Sequence, residues 1–294
     1  MRRAALIFGL FIAPLAVFAA MVAADRIYGA PGRGWGYVVQ VELPGEDARQ
    51  GLPAVLGPQD ASRPLVVIDA GHGGKDPGAG LGAVREKDLV LRLALALRDE
   101  LLRQGGVRVA LTRSDDRYLL LPLRPDIARR LQADLFISIH ADSTEIGTSA
   151  RGATVYVLSD RGSNEAAERI ARRENAADQV NGIRIADQSD NVGAILVDLS
   201  QREMQAKSEA FGNLILREGK SRLPFREGTV QSAAFAVLKA PDVPSVLFES
   251  GYINNPDDAA RLASPAGQQA FARTLANAIR IHFARERTPS PVLQ

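Results

Sequence analysis

From residue 65 onward, short unbroken apolar runs alternate with longer stretches in which apolar residues recur every three or four positions. The short runs are the pattern of strands buried on both faces, and the longer stretches that of helices with one covered side. Strands are predicted at Leu65–Ala70, Val107–Thr112, Asp134–His140, Thr154–Leu158, Ala234–Leu238 and Ser245–Glu249, with helices near Lys87–Gln104 and Pro125–Gln132. A long helical stretch from Asn164 to about Glu218 breaks this rhythm as an insert. In a last helix, Gly267–Ala284, Phe271, Leu275, Ile279 and Phe283 recur every fourth residue and form a core-facing stripe. The alternation predicts an α/β fold, with one domain over residues 64–286, a mostly parallel twisted sheet covered by helices on both faces, and the helical insert.

The chain ends read differently. Met1-Arg-Arg precedes an apolar run from Ala4 to Ala24 that closes on small residues, the layout of an export signal. The run also approaches the length that spans a bilayer, so residues 1–24 are expected to be either a cleaved signal or a membrane anchor. Residues 25–63 are rich in Gly, Pro and charge and are expected to be a linker, with one strand candidate at Tyr37–Leu43. Residues 287–294 are expected to be a disordered tail.

Composition narrows the chemistry. The net charge is +2, and removing Arg2 and Arg3 with the N-terminal run leaves acidic and basic residues in balance. Basic residues are interspersed with acidic ones, which excludes a nucleic-acid surface. With no cysteine in 294 residues, an exported chain has neither disulfides nor thiolate ligands. Any metal site must therefore use His, Asp and Glu, a donor set that suits an open, catalytic zinc better than a closed, structural one.

Two of the three histidines end strand-like runs: His72 in Leu65-Val-Val-Ile-Asp-Ala-Gly-His and His140 in Asp134-Leu-Phe-Ile-Ser-Ile-His. In α/β folds that rim of the sheet binds ligands, so the pair reads as two ligands of one zinc ion. The glycine-rich segment after His72 leads to Glu86 at the start of a helix. Glu86 is the leading third ligand, with Asp76, Asp88 and Asp142 as rivals. Asp88 also suits the first turn of a helix, where acidic residues are favoured, and Asp142 is placed to orient a ligand from behind. Glu249 ends another apolar run and is the candidate proton carrier. His282, in the last helix beside the apolar stripe, reads as a structural or surface residue.

Together these segments resemble the zinc-dependent N-acetylmuramoyl-L-alanine amidases of the amidase-3 type. The resemblance is carried by Val66-Val-Ile-Asp-Ala-Gly-His-Gly-Gly-Lys-Asp-Pro-Gly-Ala, Glu86-Lys-Asp, Leu111-Thr-Arg-Ser-Asp-Asp, Asp134-Leu-Phe-Ile-Ser-Ile-His-Ala-Asp and Pro244-Ser-Val-Leu-Phe-Glu-Ser-Gly-Tyr-Ile-Asn-Asn. It implies one Zn2+ held by His72, Glu86 and His140, a catalytic Glu249, and cleavage of the bond between N-acetylmuramic acid and L-alanine in peptidoglycan. Another exported zinc peptidase of the cell wall, or a non-catalytic peptidoglycan-binding module, would share much of this pattern.

Arg173-Glu-Asn-Ala-Ala-Asp and Phe235-Ala-Val-Leu-Lys-Ala-Pro-Asp are similar to segments of the periplasmic cell-division amidases. That similarity implies a periplasmic location, an autoinhibitory lid near residues 164–191, and an activator with a LytM-type domain. A lid carboxylate such as Glu174 is expected to fill the open position of the zinc. Residues 25–63 are too few for the N-terminal targeting domain that such enzymes often carry, and Asp142 stands where the family commonly has Asn.

Overall fold

A computed structural model describes residues 51–81, 84–143, 150–177 and 194–286. The expected export segment, the strand candidate at Tyr37–Leu43, the tail 287–294 and part of the expected lid lie outside them. Among the described residues no helix is long and apolar enough to cross a membrane.

Six strands form one sheet: β1 (Leu65–Ala70), β4 (Arg108–Leu111), β5 (Leu135–His140), β6 (Thr154–Leu158), β7 (Gln231–Ala233) and β8 (Ser245–Glu249). Their order is β4-β1-β5-β8-β6-β7. The first four are parallel, β6 runs antiparallel to β8, and β7 is parallel to β6. A small hairpin, β2 (Gly80–Leu81) with β3 (Val84–Arg85), lies between β1 and the first helix. Every residue of β1, β5 and β8 is buried, as strands covered on both faces require.

Alternate residues feed two cores. Val66, Ile68, Ile137, Ile139, Val246 and Phe248 join α1 (Glu86–Gln104), α4 (Ala194–Gly219) and α6 (Pro265–Glu286). Leu65, Val67, Phe136 and Leu247 face the opposite way, onto α2 (Leu123–Arg130) and α3 (Glu165–Asn175). In α1, Leu89, Val90, Leu93, Ala94, Leu97 and Leu101 recur at helical spacing and are buried. In α6 the predicted stripe of Phe271, Leu275, Ile279 and Phe283 is buried as well.

From β1 the chain crosses to β4 on one side, then returns to β5 on the other. The connections therefore diverge at the carboxyl ends of β1 and β5, which opens the crevice where α/β sheets bind ligands. Register carries this rim across the sheet, with Ala70 opposite Ile139 and His140 opposite Glu249.

The structure departs from the sequence pattern at four places. Ala234–Leu238 is not a strand: β7 ends at Ala233, and Ala236–Leu238 form a 3-10 turn. Phe235, Val237 and Leu238 are buried all the same, because the turn packs on the second core. The long helical stretch resolves into α3 and α4, and a short helix, α5 (Pro256–Ala263), follows β8 where the sequence pattern predicts none. Asn255 caps α5 by accepting hydrogen bonds from the N–H groups of Asp257 and Asp258, with Pro256 as its first residue. In the segment expected to be a linker, Leu56 exchanges backbone hydrogen bonds with Val109 at 2.8 and 2.9 Å, pairing with the edge of β4.

Candidate active site

The two histidines meet at the rim of the sheet, with ring centres 4.9 Å apart and edge to face. His140 is the last residue of β5, and His72 follows β1 after Gly71. His72 adopts φ +58, a left-handed conformation that side-chain-bearing residues rarely take. Two buried guanidinium groups hold the chain there. Arg113 donates to the carbonyls of Ala70, Gly71 and Lys87 at 2.9, 2.7 and 2.8 Å. Arg124 donates to the carbonyls of Ala70 and His72 and to Asp69, each at 2.8 Å. Asp69 also accepts from Thr112 and Ser138 at 2.6 and 2.7 Å, so both carboxylate oxygens of this buried ion pair are hydrogen-bonded.

Glu86, the first residue of α1, is fully buried. It accepts from the backbone N–H groups of Ala79 and Ala141 at 2.8 and 2.9 Å. Its two oxygens lie 3.1 Å from His72 Nε2 and 3.2 Å from His140 Nδ1. Burial works to raise its pKa, but the two imidazoles outweigh burial and hold it well below the usual carboxylate range. Glycines make room for this cluster. A Cβ on Gly78 would sit 2.6 Å from His72 Cδ2 and 2.7 Å from Glu86, and one on Gly71 would collide with the His140 ring.

Of the three rival aspartates, Asp76 is bound to the other side of His72, 2.8 Å from Nδ1. That contact fixes the tautomer, so that Nε2 presents its lone pair to the cluster. Asp88 turns away, 3.3 Å from Arg85 in the first turn of α1. Asp142 is buried just after β5; its backbone N–H donates to Glu249 Oε2 at 3.1 Å, and its carboxylate pairs with Arg173.

Glu174, in the last turn of α3, places Oε2 3.5 Å from His72 Nε2 and 3.0 Å from His140 Nδ1. His72, His140 and Glu174 each offer one ligand atom, all within 4.8 Å of one another, which makes this a possible metal site. The fit is chemical as well as geometric. His72 Nε2 and His140 Nδ1 are buried and make no hydrogen bond, and carboxylates approach from two sides. In the structure that negative charge drives the His72 imidazole up to about 10 against the effect of burial. A divalent cation would take the place of the imidazole protons, and two imidazoles so freed, with carboxylate oxygens, form its donor set.

Glu249 closes the site from β8. It is fully buried, Oε2 holds the Asp142 N–H, and Oε1 makes no hydrogen bond. Burial, reinforced by Glu174 and Glu86, raises its pKa well above the ordinary value, against the pull of His140 and Arg173.

A family model described as N-acetylmuramoyl-L-alanine amidase, Amidase_3, matches residues 66–281. The chain belongs to the Amidase_3 family. Within it, the chain is 40% identical over 224 residues to the N-acetylmuramoyl-L-alanine amidase AmiA of Salmonella typhimurium, covering 76% of this chain and 77% of that protein. It is 36% identical to AmiC of Escherichia coli, over 82% of this chain and 59% of that longer protein. Among solved structures it is similar to the amidase AmiC2 of Nostoc punctiforme, at 29% identity and TM-score 0.54, over 76% of this chain and 98% of that one.

The structure thus brings together in this amidase fold His72, Glu86, His140, Glu174, Asp142 and Glu249, all singled out in the sequence, and leaves Asp88 and His282 outside. His282 packs in α6 between Phe211 and Phe283, with ring centres 5.3 and 5.0 Å away. Asp76 enters the site at Nδ1 of His72 and not in the place of the third ligand for which the sequence makes it a rival, and the sequence pattern discloses neither the Arg113 and Arg124 supports nor Arg173. Arg113 falls within the Leu111-Thr-Arg-Ser-Asp-Asp segment, but nothing in its spacing discloses that it reaches back to β1.

Proposed function

We propose that the chain is a zinc-dependent N-acetylmuramoyl-L-alanine amidase of the periplasm, held inactive by the end of α3. The observation that carries the reading is the convergence of His72, Glu86, His140 and the buried Glu249 on the carboxyl ends of adjacent strands β1, β5 and β8. His72, Glu86 and His140 would hold one zinc ion. When bound, zinc supplies Lewis acidity that lowers the pKa of water and stabilises charge on the scissile carbonyl.

Glu249 moves the proton. Its Oε2 is tied to the Asp142 N–H, which leaves Oε1 free to take a proton from the attacking water. Its raised pKa keeps that proton until the amide nitrogen needs it. As the C–N bond breaks, Glu249 hands the proton to the departing L-alanine amine, leaving a carboxylate on the muramic acid and a peptide with a free N-terminus. Asp76 holds His72 in one tautomer throughout.

Glu174 occupies the place that water and the substrate carbonyl need, in contact with both imidazoles. In this reading the end of α3 is an autoinhibitory strap, and a partner such as a LytM-type activator would have to displace it.

Incubation of the zinc-loaded chain with purified peptidoglycan, read by mass spectrometry, tests the assignment. Peptides beginning with L-alanine are expected from the unaltered chain at a low rate and from Glu174→Ala at a higher one. Glu249→Gln should retain zinc with a rate reduced by about 100-fold or more, whereas His72→Ala should lose zinc and activity together. A near-normal rate for Glu249→Gln removes the proton-carrier role, and cleavage at a different bond overturns the amidase reading.

A further inference from the structure

Three consecutive residues fasten the last turn of α3 to three different partners. Arg173 pairs with the Asp142 carboxylate, Glu174 meets the two imidazoles, and Asn175 uses both ends of its amide on the backbone beyond β7. Asn175 Nδ2 donates to the Ala234 carbonyl at 2.7 Å, and Asn175 Oδ1 accepts from the Ala236 N–H at 2.8 Å. Asn175 thereby ties α3 to the backbone just beyond the end of β7.

The rest of α3 is fastened differently. Ala167, Ile170 and Ala171 are buried in the second core beneath the sheet. At its start, Asn164 caps the helix through the Ala167 N–H and donates to Gln231 at 2.8 Å, while the Ser163 N–H donates to the Ser232 carbonyl at 2.8 Å. Lifting the whole helix would uncover apolar core. Opening only its last turn would return Arg173 and Glu174 to water, where charged groups are well solvated.

We propose that the strap is released by local unwinding of α3 from Arg173 onward, with Asn175 as the clamp that sets the closed state, while the body of the helix stays on the sheet. This rests on Glu174 being the blocking carboxylate. Arg173 is a second fastening, but with 47% of its side chain exposed it is open to solvent screening. Asn175 forms no hydrogen bond with the imidazoles, Glu86 or Glu249, so a substitution there acts on the strap and not on the reacting groups.

The test compares the full zinc-loaded chain with Asn175→Ala and, in parallel, Glu174→Ala. Amide hydrogen exchange is followed for residues 165–171 and 172–177, together with basal release of L-alanyl peptides from peptidoglycan. For Asn175→Ala we expect faster exchange at 172–177, unchanged exchange at 165–171, and a basal rate about tenfold higher, the factor given by ~1.4 kcal/mol of lost net hydrogen bonding. Unchanged exchange at 172–177 overturns the clamp. Faster exchange along both stretches overturns local unwinding in favour of departure of the whole helix. Faster exchange at 172–177 with no rise in rate overturns control by the strap. In that case a rise with Glu174→Ala assigns the failure to the clamp, and no rise with either variant assigns it to the blocking role of Glu174.

Discussion

His72 is held from three directions at once, and each contact does something different. Arg124 takes its carbonyl, Asp76 takes Nδ1, and the left-handed backbone turns Nε2 toward His140 and Glu86. In the sequence Asp76 stands as a rival ligand because it is a carboxylate four residues from a histidine. That offset does not say which imidazole nitrogen it will meet, and only the turn through Gly73 and Gly74 settles it. Asp76→Asn is therefore expected to leave the fold intact and weaken zinc binding by about 10- to 100-fold, since an amide can donate to Nδ1 and favour the wrong tautomer. Competition against a chromophoric chelator measures this directly. An unchanged affinity would mean that Arg124 and the backbone orient the ring without help.

Among the elements, β1, β5 and β8 were legible because strands buried on both faces need uninterrupted apolar residues, and their ends carried the chemistry with them. Ala234–Leu238 carries the same pattern without being a strand, since a buried 3-10 turn needs the same apolar residues as a buried strand. Contacts to this turn come from Asn175, distant in sequence, and no local pattern discloses them. Of the structural and surface settings the sequence leaves open to His282, α6 gives it the buried one between Phe211 and Phe283, and that setting gives a pH dependence. Burial, helped by Lys207 and opposed by Glu286, depresses the imidazole below its ordinary value of 6.5. As pH falls, the unfolded chain takes up this proton before the folded one does. The residue's contribution is thus complete above about pH 6.5 and is lost as pH falls toward the depressed value. The difference in unfolding free energy between the unaltered chain and His282→Gln should accordingly shrink from pH 8 to pH 5. A constant difference, measured by denaturant titration at each pH, would show that the helix interface accommodates the charged ring.

At the scale of the whole molecule, distant parts of the chain converge on this site: the turn after β1, the start of α1, the ends of β5 and β8, and the last turn of α3. They bring the buried carboxylates of Glu86, Asp142, Glu174 and Glu249 around two imidazoles and one guanidinium. Crowding like charges in a buried site opposes folding unless a cation offsets it, so zinc should stabilise the fold as well as enable the reaction. At free zinc near 100 times the dissociation constant, linkage gives about 2.7 kcal/mol, which for a domain of this size raises the melting temperature by about 5 to 10 °C. Calorimetry with and without a chelator should show that drop. His140→Ala should melt at the same temperature in both conditions, because its metal is already gone. Glu174→Ala should still respond to the chelator, since His72, Glu86 and His140 remain to hold the ion. If Glu174→Ala loses the response while Glu86→Gln keeps it, the strap glutamate and not Glu86 is the third ligand, and opening the strap would then have to carry the metal's coordination with it.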